Sequence, residues 1–190
     1  MFDVIEFLYD CVSEPIYRYD EWSNHGDSYD TFDRETGKQE FRDRINQLLC
    51  DYREGYELSE KGEILESPEQ GLEDLVLENL PPYDPKNVEP RVESAIHKFR
   101  RSRSSLDEKR DAIRDLADVL EFLRPQIKAL ISSDESDLFQ IANKFGIRHH
   151  NDEQKQDYDK AIWYNWMFYY YLATIHACLK LIKKAENQSP

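Results

Sequence analysis

The chain has 190 residues, of which 39 are acidic and 25 basic, leaving a formal net charge of −14 and an isoelectric point near 4.8. Hydrophobic residues make up 39% and charged residues 34%, a composition that supports a packed core and excludes a disordered polyelectrolyte. No stretch approaches 18 uncharged apolar residues, so no membrane span is expected, and the acidic excess opposes indiscriminate nucleic-acid binding by the whole surface.

The charge is unevenly spread. Residues 1–90 carry a net of −16 and residues 91–190 a net of +2. Two regions are expected: an acidic N-terminal α+β region over 1–85 and a helical bundle over 86–190. The fold class is mainly α, with a C-terminal antiparallel helical bundle and an N-terminal helical region that carries a small β-hairpin.

In chain order, Phe2, Ile5, Leu8 and Val12 recur at helical spacing and predict a short amphipathic helix ahead of Pro15. With no basic leader and no cleavage site, this start reads as a helix rather than a signal peptide. Residues 17–34 are polar and aromatic and read as an ordered loop. Phe41, Ile45, Leu48, Leu49 and Tyr52 predict a helix over 35–53, stopped by Gly55. Tyr56–Leu58 and Ile64–Leu65 flank Ser59-Glu60-Lys61-Gly62, which predicts a hairpin over 56–65. A short helix is expected within 68–79. Pro81, Pro82 and Pro85 mark the boundary between the two regions.

From Val88 the pattern turns helical, with Val92, Ala95, Ile96 and Phe99 on one side. Ser105 and Glu108 form a capping box for a long helix whose stripe runs from Ile113 to Ile131 through Pro125. A third helix is expected over 134–146, buried through Leu138, Phe139, Ile141 and Ala142. The last helix, from about Asp159 to Lys184, is apolar on several faces and suits the centre of a bundle or a subunit interface, so a homodimer through it is expected. Cys11, Cys50 and Cys178 form neither a disulfide framework nor a CxxC site, which fits thiols in a reducing, cytoplasmic setting.

Three features carry chemistry. Arg148-His149-His150-Asn151 sits between two helices: His moves protons near neutral pH, Arg holds phosphate in a fixed fork, and Asn orients either. Together they are a minimal set for metal-independent RNA cleavage, for binding, or for capping helix ends. The second feature is the basic run Lys98, Arg100, Arg101, Arg103, Lys109, Arg110 and Arg114, which suits either phosphate contact or a solvated face paired with nearby acids. The third is the aromatic cluster Trp163–Tyr171, a base-stacking platform or, at helical spacing, core. No metal ligand set and no cofactor motif are visible.

Residues 88–184, centred on LFQIANKFGIRHHNDEQKQDY (Leu138–Tyr158), resemble the HEPN superfamily, helical bundles found in bacterial defence and toxin–antitoxin systems. The resemblance implies a dimer and metal-independent ribonuclease activity, or its non-catalytic counterpart contacting nucleic acid or a protein partner. Arg148 takes the family's Arg position and His149 its following polar position. The positions where the family carries its catalytic His hold Glu153, Gln154 and Lys155. The resemblance therefore implies a binding or regulatory module first, and a ribonuclease using Arg148 with His149 or His150 second. The whole chain also resembles a bacterial family of unknown function, with Phe7–Leu80 as its N-terminal part.

Overall fold

The computed structural model describes residues 1–19, 28–130 and 159–188. The chain is mainly α-helical, with two small antiparallel strand pairs. It divides into two compact units, Met1–Ser67 and Pro68–Pro190. The proline-rich stretch at Pro81, Pro82 and Pro85 falls inside the second unit.

The first unit contains α1 (Phe2–Cys11), β1 (Glu14–Tyr19), β2 (Ser28–Asp33), α2 (Arg34–Leu49), β3 (Tyr56–Leu58) and β4 (Ile64–Glu66). Within the stretch expected as a loop over 17–34, residues 17–19 and 28–33 are strand: β1 pairs antiparallel with β2, from Glu14 opposite Asp33 to Tyr19 opposite Ser28. Tyr29 and Phe32 stand three apart, and the register shifts between Pro15 and Tyr17 and between Tyr17 and Arg18, so no clean period of two marks these strands in the sequence. Asp33 ends β2 and caps α2. Its carboxylate accepts from Glu35 N at 3.0 Å and Thr36 N at 3.2 Å. The Thr36 hydroxyl donates to it as well, and these bonds hold the Asp33 carboxyl below its ordinary value.

The hairpin forms where expected, with Tyr56 opposite Glu66 and Leu58 opposite Ile64. Its turn needs Gly62, which has φ +80°, and a Cβ there would come within 2.5 Å of the Tyr9 ring. The core is small: Tyr9, Leu49, Leu58 and Ile64, with Phe2, Ile5, Phe41, Ile45 and Tyr56 packed around them. A two-stranded hairpin is marginal alone and must be held by its neighbours. Here Asn46 of α2 clamps β3: its side chain accepts from Leu58 N at 2.6 Å and donates to Leu58 O at 3.2 Å. Tyr9 of α1 holds the turn by donating its hydroxyl to Glu60 O at 2.9 Å.

The second unit contains α3 (Glu73–Leu77), α4 (Glu89–Arg100), α5 (Leu106–Leu130) and α6 (Lys160–Glu186). The expected third bundle helix over 134–146 lies outside the described residues. The capping box at the start of α5 is present: Glu108 N donates to Ser105 Oγ at 3.2 Å, and Ser105 N donates back to the Glu108 carboxylate at 2.8 Å. The helix continues through Pro125. Asp159 caps α6 by accepting from Ala161 N and Ile162 N.

The core of this unit lies where α4 and α6 pack on α5. Val92, Ala95 and Phe99 come from α4, Ile113 to Ile127 from α5, and Tyr164 to Ile182 from α6. Phe99 and Phe168 stack nearly parallel, with ring centroids 3.9 Å apart. On α6, Tyr164, Met167, Phe168, Tyr171, Leu172, Ile175, Leu179 and Ile182 are buried at three- and four-residue spacing, while Ile162, Trp163 and Trp166 remain exposed. No described helix is long and apolar enough to cross a membrane.

Candidate functional site

The Arg148–Asn151 insert lies outside the described residues, as do Glu153, Gln154 and Lys155. The basic run is described, and its members have different surroundings. Lys98 on α4 pairs with Asp115 on α5 at 2.5 Å, both side chains about one-third exposed. Arg114 pairs with Asp111 one turn earlier at 3.3 Å. Arg100 is only 5% exposed. Arg100, Arg101 and Arg103 each interact with other groups of the protein. Lys109 lies 5.3 Å from the centre of the Phe99 ring, a cation over an aromatic face.

Arg110 is half-buried, and its Nε, like that of Arg101, is buried without a hydrogen-bond partner. Across the α4–α5 turn Arg103 is exposed, and Glu108 is already committed to Ser105. The Ser105 bonds come first among the causes that hold the Glu108 carboxyl below its ordinary value, so it stays charged and occupied. The turn therefore concentrates Arg101, Arg103, Lys109 and Arg110, while Asp111 and Asp115 serve Arg114 and Lys98.

The aromatic cluster splits in two. Phe168, Tyr169 and Tyr171 are core, and Trp163 and Trp166 stand at the surface, with Trp166 stacked on Tyr170 at 5.3 Å. Tyr169 also accepts the backbone N–H of Glu69 at 2.9 Å, while Asn165 donates to the Glu69 carboxylate at 2.6 Å. These side chains tie the start of the unit to α6. His176 is 5% exposed, and its Nε2 lies 3.2 Å from Leu75 O. A carbonyl oxygen only accepts, so Nε2 carries the proton. Burial pushes the His176 value down, the carbonyl and Glu78 oppose the shift, and Lys180 adds to it. A buried neutral histidine bonded to backbone is a fastener for α3, not an acid or base open to substrate.

A second basic feature was missed by the sequence reading. A cleft of about 680 Å³ is lined by Asn79, Leu80, Pro81 and Pro82 on one side and by Lys180, Lys183, Lys184, Asn187 and Gln188 on the other. The three lysines stand at i, i+3 and i+4 and share one face of α6. All are exposed, and none forms an ion pair among the described residues. Like charges one turn apart cost roughly 0.2–0.5 kcal/mol per pair. The carbonyl end of the helix offsets this by about 0.3–1 kcal/mol per cation within its last turn. The spacing of the lysines was visible in the sequence. Their opposing wall, a hundred residues away, was not.

Among the described residues, no group of three or more His, Cys, Asp or Glu side chains is placed to hold a metal ion. Comparison of the chain with family models, with curated proteins and with solved structures finds no match.

Proposed function

We propose that this protein is a non-catalytic, HEPN-like binding module that holds the phosphate backbone of RNA on the basic turn between α4 and α5. The observation that carries this reading is the half-buried Arg110, with its unpartnered Nε, beside the exposed Arg103. The buried Nε is out of reach of an external anion, so phosphate would meet the two Nη groups, whose fork its oxygens match. The acidic excess of the chain disfavours phosphate contact over much of the rest of the surface. The same reading makes the chain a cytoplasmic homodimer through α6, supported by the exposed Ile162, Trp163 and Trp166. Light scattering tests the dimer, and a monomer at micromolar concentration removes it.

Fluorescence anisotropy with single-stranded RNA over a series of salt concentrations tests the binding. Binding should weaken with salt, with a slope of about −0.7 per phosphate contact in log–log form. Arg103→Ala combined with Arg110→Ala should weaken binding and flatten the slope by about 1.4, two such contacts. The RNA should be recovered intact. Absence of binding at low salt refutes the proposal. Cleavage that disappears in Arg148→Ala replaces it with the ribonuclease reading through Arg148 and His149 or His150.

A further inference from the structure

The cleft between residues 79–82 and the end of α6 is separate from the α4–α5 turn and shares none of its residues. Its two walls carry different chemistry. One presents Leu80, Pro81 and Pro82, which are rigid and apolar. The other presents Lys180, Lys183 and Lys184, with the side-chain amides of Asn187 and Gln188 at its end and that of Asn79 opposite. Three ammonium groups on one helical face, without ion-pair partners among the described residues, repel each other in the free protein. Two acids stand near the cleft in sequence, Glu78 before its apolar wall and Glu186 after Lys184 on α6, and neither forms an ion pair among the described residues.

We propose that this cleft binds a multiply charged phosphate ligand, with its phosphoryl groups on the three lysines and any less polar part against the Leu80–Pro82 wall. An ammonium is a compact point charge on a flexible stem and meets tetrahedral oxyanions from any direction. Three cations crowded on one face favour a ligand that carries several negative charges. The size argues for more than one phosphoryl group. The groove is open to solvent, and its volume of about 680 Å³ leaves room for more than a single anion. The amides supply neutral donors between the charges, so a chain of phosphoryl oxygens can be satisfied along its length. Proline closes the opposite wall without a backbone N–H, leaving the ammonium side to set the orientation.

The test uses the full chain and inorganic tripolyphosphate as the probe, by isothermal titration and by thermal shift. The wild type should bind tripolyphosphate more tightly than monophosphate or citrate, and its unfolding temperature should rise with ligand as linkage requires. Lys180→Gln with Lys184→Gln should lose at least tenfold in affinity and most of the thermal shift. All three lysines are exposed, so the variants should fold as the wild type does. Without ligand, their unfolding temperature should change little, because the repulsion removed is offset by the lost attraction between Lys184 and the carbonyl end of α6. Equal binding of citrate overturns the assignment to phosphate, and an unchanged thermal shift in the double variant overturns the site. RNA binding through Arg103 and Arg110 is measured on the same variants. Its retention when tripolyphosphate binding is lost separates this site from the α4–α5 turn.

Discussion

Truncating Phe168 should be among the most damaging single changes in the second unit. Phe168 is fully buried on α6, and its ring lies flat on Phe99 of α4, centroids 3.9 Å apart and planes within 5°. Phe168→Ala removes a whole buried ring, a change that costs about 3–5 kcal/mol when the surroundings cannot collapse. Collapse is limited here because Phe168 sits among Met167, Tyr171 and Leu172, which belong to the same packed cluster. Of that loss, about 0.5–1.5 kcal/mol belongs to the ring pair itself. The assay is urea unfolding followed by tryptophan emission, since Trp163 and Trp166 lie on α6 and report on this unit. The midpoint should fall at unchanged slope. In a double-mutant cycle with Phe99→Ala, the double variant should lose about 0.5–1.5 kcal/mol less than the two singles added together. Because α4 leads into the turn that carries Arg101 and Arg103, the same variant should weaken RNA binding as α4 loosens. A loss below about 1 kcal/mol would refute the packing argument, and a cycle energy of zero would show that the stack does not hold α4.

Three further outcomes follow from local contacts. Asn46→Ala should destabilise the first unit by about 1–3 kcal/mol, because it leaves the backbone N–H and C=O of the buried Leu58 without their clamp; hydrogen exchange at Leu58 reads this directly. His176 binds a proton more weakly in the folded chain than its ordinary 6.5, so its contribution to stability is complete above about pH 6.5 and is lost as pH falls toward the depressed folded value. His176→Gln, whose amide can still donate to Leu75 O, should remove that part of the acid-side slope in denaturation curves at successive pH values. Among the thiols, Cys11 and Cys50 are exposed, whereas Cys178 is buried and its thiol is pushed up by burial. Aromatic disulfide reagents should therefore label the first two in the native protein and reach Cys178 only on unfolding. Rapid labelling of all three would contradict the packing of α6.

The parts of this protein legible in its sequence are those set by local periodicity. The stripes of α4, α5 and α6, the Ser105–Glu108 capping box, and the hairpin turned at Gly62 follow from side-chain spacing and backbone preference within a few residues. The β1–β2 pair escaped because its polar and aromatic residues, with Ile16 as the one aliphatic, follow no period of two and read as an ordered loop until the partner strand is known. Tertiary structure decided the electrostatics of the basic run. Sequence neighbours offered Asp111 to Arg110 and Asp115 or Asp118 to Arg114, whereas in the fold Arg114 takes Asp111, Lys98 takes Asp115 and Arg100 is buried. It also decided the lysine cleft. The three ammonium groups are local to one helix, but a cleft needs a second wall, and residues 79–82 reach it only through the long-range packing of α3 on α6. Spacing along a chain specifies which side chains share a face. Which faces meet, and which charges are neutralised when they do, depends on packing between elements far apart in sequence.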